Sequence, residues 1–372
     1  MSELAILTRS SRRPGYKSRV ASRSLVALLA GSLLALFAPG AAAPSQSAST
    51  VLRTSAHARS FEGPTGTARI DRAARSALTW RGGPITASTG EIVEIFVSDS
   101  LPAETPEKWA EFLATLTHGP ELARLTSNIA SLAEVQELCG PRALGCYSRD
   151  EMVFLGEPAP DGTTPEEVVR HEYGHHVAWY RLNTPWRAID WGPKNWASAA
   201  TVCSRVSRRE AFPGNQSSNY ARNPGEAWAE VYRLMDERKA GITTASWPII
   251  TPSFFPDEAA LLAAERDVLA SWTVNRKSVF RRSFAKDAKR AWLIPLPTPL
   301  DGDLVLNAKL PRGGLHEIAL VSANRSTVLR RAQWVSQRGK RLVTGICGQR
   351  TLFVRVTPSG AAGQVTVSVS RP

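Results

Sequence analysis

The stretch that most limits what this chain can fold into is VVRHEYGHHVAWY, residues 168–180, which holds three of the chain's six histidines. Thr164-Pro165-Glu166-Glu167 precedes it as a capping box with proline at the first helical position, so a helix is expected to start there. On a helix, residues four apart differ by about 40° around the axis and about 6 Å along it. His171 and His175 therefore face the same way and can give two imidazole nitrogens to one metal ion. His176 stands about 140° from His171 and cannot join them. Glu172, about 100° round, lies beside the metal, where it can take a proton from a metal-bound water. This is the H-E-x-x-H arrangement, whose mechanics suit zinc-assisted hydrolysis of amides.

A catalytic zinc usually takes three protein ligands and keeps one position for water. NPGEAWAEVYR, residues 223–233, offers the third, because Glu226 and Glu230 are also four apart on one helical face. Glu226 can complete a His2Glu sphere; its plain structural role would be a helix-capping glutamate behind Asn223, and the two roles are compatible. Glu230, one turn on, can accept a hydrogen bond from the free nitrogen of a ligand histidine, or else pair with a surface arginine. The cofactor these residues call for is one Zn2+.

The chain around these helices divides into parts. Residues 1–43 have the layout of a secretory signal peptide: six basic residues, the apolar run SLVALLAGSLLALFA, then Ala41-Ala42-Ala43 as a cleavage site. The apolar run is too short to span a bilayer core needing about 20 residues, so a secreted chain with no membrane span is expected. Cleavage removes six basic residues and Glu3, which lowers the formal charge from +13 to +8. Lys and Arg are spread out apart from RRSFAKDAKR at 281–290, which reads as a solvated basic face, with an anionic cell-surface or substrate contact as the functional alternative. No nucleic-acid motif is present.

Cys139, Cys146, Cys203 and Cys347 make an even count in an exported chain, which reads as two disulfides. CGPRALGC closes a short turn-rich loop, so Cys139–Cys146 is the expected bridge, and Cys203–Cys347 then remains. Residues 44–85 read as a linker or propeptide. Order is expected from GEIVEIFVSD onward, with a helix at TPEKWAEFLATL and further short strands at SNIASLAEV and EMVFLGE. The tryptophan-rich NTPWRAIDWGPKNWAS reads as aromatic packing around irregular backbone, and DEAALLAAERDVLASW as the closing helix of this unit, residues 86–290. From 291 to 372, short alternating runs separated by turn residues predict a small all-β sandwich with no catalytic cluster. The fold class expected is α+β.

HEYGHH followed by Y-x-R-N-P-x-E-x-x-A-E-x-x-R-L-M resembles zincin metallopeptidases of the His-Glu-His-Glu type, in particular the catalytic domain of anthrax lethal factor and related exported bacterial proteins. The resemblance covers Val168 to Met235 and rests on the two helical motifs. It implies a zincin-like domain, a protein or peptide substrate, His171, His175 and Glu226 as zinc ligands, and Glu172 as general base. It further implies Tyr220 as hydrogen-bond donor to the oxyanion, although Tyr220 stands one residue closer to its glutamate than in lethal factor. Tyr173 and Tyr232 are then packing residues, and EMVFLGE is by analogy the edge strand that receives the peptide. The competing expectation is a secreted binding protein, built on an inactive zincin scaffold and recognising its partner through the β-sandwich.

Overall fold

The computed structural model of the protein describes residues 70–372 apart from 244, 245 and 248. The expected leader, residues 1–43, and the stretch 44–69 of the expected linker lie outside the described residues. Regular structure starts earlier than GEIVEIFVSD, with helix α1 (Arg72–Ala77) and strand β1 (Trp80–Thr86). β1 pairs with β2 (Ile92–Ser98) from end to end, so the stretch read as linker finishes inside a sheet. Gly82 permits this: a side chain there would drive a Cβ to 2.1 Å from the Ile95 carbonyl oxygen.

The first sheet has the order β1-β2-β3-β5-β4, with β3 at Thr126–Ala130, β4 at Gly145–Ser148 and β5 at Glu151–Leu155. β2, β3 and β5 run parallel, connected through helices α2 (Pro106–Thr115) and α3 (Leu132–Cys139), while both outer strands are antiparallel. Two expectations change here. SNIASLAEV is a strand only to Ala130; Ser131 then caps α3, and Glu134 closes a capping box with it. That reciprocal cap satisfies two helix-end donors and outweighs the strand preference of the residues before it. EMVFLGE is β5 and lies inside the sheet, so the edge belongs to β4. Arg149, at φ 60°, turns the chain so that β4 and β5 form a hairpin that covers the outer side of β5.

The helices that follow are α4 (Pro165–Trp179), α5 (Ala188–Trp191), α6 (Lys194–Ala199), α7 (Val202–Ser207), α8 (Pro224–Lys239) and α9 (Glu258–Leu269), with a two-stranded hairpin of β6 (Leu182–Asn183) and β7 (Trp186–Arg187) after α4. They share one apolar core with the sheet, in which Trp109, Phe154, Val168 and Trp228 are buried. The tryptophan-rich connection packs aromatically, as its composition suggested: Trp186 and Trp191 stack with centroids 4.6 Å apart, and Trp196 meets Trp228 edge-on.

The C-terminal strands form two antiparallel sheets around a second core. In chain order they are β8 (Arg276–Phe284), β9 (Trp292–Pro297), β10 (Gly302–Lys309), β11 (Glu317–Val321), β12 (Val328–Arg331), β13 (Gln333–Ser336), β14 (Gly339–Ile346), β15 (Thr351–Thr357) and β16 (Gly363–Arg371). The sheet orders are β13-β14-β10-β16-β8 and β12-β11-β15-β9. This is the β-sandwich expected, but it begins at Arg276 rather than 291, because β8 pairs with the whole of β16. The first four residues of the basic stretch at 281–290 thus lie in β8. STVLRRAQW divides at Ala332 into β12 and β13, which belong to different sheets.

Both disulfides form as paired from the sequence, Cys139–Cys146 and Cys203–Cys347. The second ties α7 to the residue after β14, joining the helical part to the sandwich. The buried Lys194 amine strengthens that junction, donating to the carbonyls of Thr184 (2.6 Å) and Asp301 (3.0 Å). Among the described residues no helix is long and apolar enough to cross a membrane.

Candidate metal centre

α4 starts as its sequence indicates: Thr164 accepts from the Glu167 amide, and the Glu167 carboxylate accepts from the Thr164 amide. α8 starts behind Asn223, whose side chain accepts from the Gly225 amide. The two helices meet at backbone distance. A Cβ on Gly174 would lie 2.8 Å from Ala229 Cα and 3.1 Å from its carbonyl oxygen. Trp228 Nε1 donates across the crossing to the Gly174 carbonyl at 2.7 Å. This close approach lets short side chains from the two helices converge.

They converge on one oxygen. His171 Nε2 lies 3.4 Å and His175 Nε2 3.3 Å from Glu226 Oε2. The ligand atoms of the three residues lie within 4.8 Å of one another, and all three side chains are buried. With metal–nitrogen and metal–oxygen bonds of about 2.0–2.2 Å, two ligands of a tetrahedron stand roughly 3.3–3.5 Å apart. Both observed separations match that edge and exceed the about 2.7–3.2 Å of an ordinary N–H···O bond. The donor set of two imidazoles and a carboxylate suits zinc.

Glu230 supports this arrangement. His171 Nδ1 donates to Glu230 Oε1 at 3.0 Å, which leaves the Nε2 lone pair directed at the cluster. Arg233 donates to the other oxygen through Nη2 (2.7 Å) and Nε (3.2 Å). Burial resists ionisation of Glu230, but Arg233 and His171 together bring its pKa down to about 2. The arginine and histidine roles foreseen for Glu230 therefore coexist, with a buried arginine in place of a surface one.

Glu172 is different. It is fully buried, and neither carboxylate oxygen accepts a hydrogen bond from the described residues. Burial raises its pKa to about 8, against the pull of His171. Gly145 of β4 leaves room for it: a Cβ there would come 2.9 Å from Glu172 Oε1. A buried acceptor without a partner costs about 1–3 kcal/mol, and more if charged, so Glu172 does not serve the fold. Groups of this kind cluster at reactive sites.

Tyr220 lies just ahead of α8 and donates to Glu226 Oε2 at 2.8 Å, so its hydroxyl sits at the cluster. Gln216, which the sequence reading did not single out, donates through Nε2 to the other oxygen, Glu226 Oε1, at 2.6 Å. The loop that carries it is built by asparagines. Asn223 Oδ1 accepts from Gly214 N (3.1 Å), and Asn215 Oδ1 from the amides of Ser217 (3.0 Å) and Asn219 (3.1 Å). PGNQSSN advertises a turn, but nothing local shows that its glutamine reaches a carboxylate ten residues on.

The remaining aromatic groups near the pair pack, as expected. His176 Nε2 donates to the Glu121 carbonyl at 2.8 Å, so Nδ1 accepts from the Tyr147 hydroxyl at 3.1 Å. Tyr173 donates to Glu121 Oε1 and Tyr232 to the Thr117 carbonyl.

The helix crossing is testable. Alanine favours a helix over glycine by about 1 kcal/mol, but overpacking against backbone costs about 1–3 kcal/mol. Gly174→Ala is therefore expected to lower the denaturation midpoint and to weaken zinc binding, as Glu226 is pushed from the histidines. Unchanged zinc affinity, measured by chelator competition, would contradict the close-contact account.

No family model matches the chain, and no curated protein matches it. Among solved structures, the pre-peptidase C-terminal domain of a collagenase from Bacillus anthracis is similar at 8% identity and a TM-score of 0.22, over 25% of this chain and 88% of that one. PliG of Aeromonas hydrophila, a periplasmic inhibitor of g-type lysozyme, is similar at 8% identity and a TM-score of 0.21, over 26% and 86%. At these scores neither likeness enters the reading of the site.

Proposed function

We propose that the protein is an exported zinc-dependent endopeptidase with a zincin-like catalytic unit. The observation that carries the reading is the meeting of His171, His175 and Glu226 beside a buried Glu172 that has no hydrogen-bond partner among the described residues. His171 Nε2, His175 Nε2 and Glu226 would hold the ion. Zinc, when bound, supplies Lewis acidity, bringing the pKa of a water near about 7 and polarising a carbonyl. Glu172 accepts a proton at its carboxylate as water adds to the peptide carbonyl, then returns it to the amine nitrogen as the C–N bond breaks. The Tyr220 hydroxyl is the donor for the carbonyl oxygen as it gains charge. Glu230 holds the His171 ring, and Gln216 holds Glu226 by the oxygen that faces away from the histidines.

A peptide substrate is favoured by the neighbourhood of Glu172. β4 is the last strand of its sheet and packs against α4, so an extended peptide that pairs with it would run alongside Glu172. The two disulfides accord with an oxidising, extracellular setting. Incubation of the purified protein with casein or a peptide library tests the proposal. Internal cleavage that a chelator abolishes and added zinc restores is expected; cleavage indifferent to chelation, or none from zinc-loaded protein, would overturn it.

A further inference from the structure

We infer that the outer face of the sheet β13-β14-β10-β16-β8 is a docking surface for an acidic polysaccharide. From Arg276 to Pro372 the chain has eighteen Lys and Arg against four Asp and Glu, a net charge of +14, while everything before Arg276 nets −1. The basic character of the protein is thus a property of the sandwich. Its few acids do little to offset it on this face. Asp301 is buried and accepts from Gly348 N and Arg350, and Glu317 pairs with Arg331 and Arg355 on the other sheet.

The strand register sorts the cations. Leu304, Leu306 and Ala308 of β10 and Val365, Val367 and Val369 of β16 point into the core, so the alternate residues face outward. Three rows then cross the sheet. Arg281, Thr366 and Lys309 align in one. Val279, Ser368, Asn307 and Arg341 align in the next. Lys277, Ser370, Val305 and Val343 align in the third. Strands lie about 4.8 Å apart, so Arg281 and Lys309 stand roughly 10 Å from each other across Thr366. Lys277, Arg281, Lys309 and Arg341 are exposed, and none has a carboxylate of the described residues within ion-pair distance. Asp303 is the one acid on the face, beyond the third row.

The chemistry between the cations selects the partner. Hydroxyl and amide side chains at Thr366, Ser368, Ser370 and Asn307 can bond to sugar hydroxyls, while the cations take carboxylate or sulfate groups. The rows carry no aromatic side chain on which bases could stack, which disfavours single-stranded nucleic acid. Trp334 of the edge strand, 46% exposed, alternates to the opposite side from Gln333, with the Lys340 amine 4.3 Å from its ring centroid.

The test is anisotropy of a labelled heparin oligosaccharide against the purified protein in chelator at ~0.15 M salt, so the result is independent of the metal site. Arg281→Glu/Lys309→Glu/Arg341→Glu is compared with Arg325→Glu/Arg330→Glu/Arg331→Glu, which changes the net charge equally on and beside β12 of the other sheet. The first triple is expected to bind at least about tenfold more weakly, and the second within about threefold of wild type. Equal losses in both, no saturable heparin binding by the wild type, or tighter binding to a DNA oligonucleotide or to phosphatidylserine vesicles would each overturn the assignment. Should the first triple misfold by circular dichroism, Arg281→Gln and Lys309→Gln singly must still weaken binding.

Discussion

Glu172→Gln is expected to retain zinc and to lose about 10²- to 10⁴-fold of peptide turnover, the range a positioned general base contributes. Glutamine has the shape of glutamate, so the space beside Gly145 stays filled and His171, His175 and Glu226 keep their places. What it removes is the ability to accept and return a proton. Glutamine is no better hydrogen-bonded there but carries no charge to desolvate, so the same substitution should leave stability unchanged or raise it. A loss of turnover accompanied by loss of zinc would instead mark Glu172 as a structural support of the ligands. Full turnover would end its assignment as the base. Metal content and steady-state kinetics on one preparation separate these outcomes.

Arg233→Met is expected to cost about 3–5 kcal/mol of stability, because it strands two buried carboxylates. Arg233 is 1% exposed; besides Glu230 it donates through Nη1 to Glu237 at 2.7 Å and through Nη2 to the Ser246 carbonyl at 2.7 Å. A loss of that size is a large part of the about 5–15 kcal/mol that holds most domains folded. Arg208 forms a pair of similar length with Glu210, 2.8 Å, but at the surface, and Arg208→Met should not move the unfolding midpoint measurably. The difference between the two isolates burial as the cause. Glu230, freed from Arg233, should also hold His171 less firmly, so the variant should bind zinc more weakly even where it is folded. Urea unfolding of both variants tests this; coincident curves for wild type and Arg233→Met would refute it.

The parts of the site legible in the sequence are those set by local periodicity. The capping box at Thr164 and the four-residue spacings of His171/His175 and Glu226/Glu230 fix two helices and one face of each. Convergence of those faces depends on Gly174 meeting Ala229, which spacing alone does not reveal. Sheet order was less accessible. β4 is four residues long and follows directly on the disulfide loop, so nothing in its own residues marks it as a strand outside β5. β8 does not read as a strand from its sequence, because its core-side positions include Ser278 and Arg282, which hide the alternation. The charge asymmetry was present in the sequence but vanished when averaged over the whole chain.

Zinc-edge X-ray absorption on the dialysed, zinc-loaded protein tests the central claim most directly. The account predicts one zinc per chain with nitrogen and oxygen neighbours at about 2.0–2.2 Å, two of them imidazole, and no sulfur shell at about 2.3 Å. Failure to retain zinc, or a sphere with fewer than two imidazoles, would contradict it.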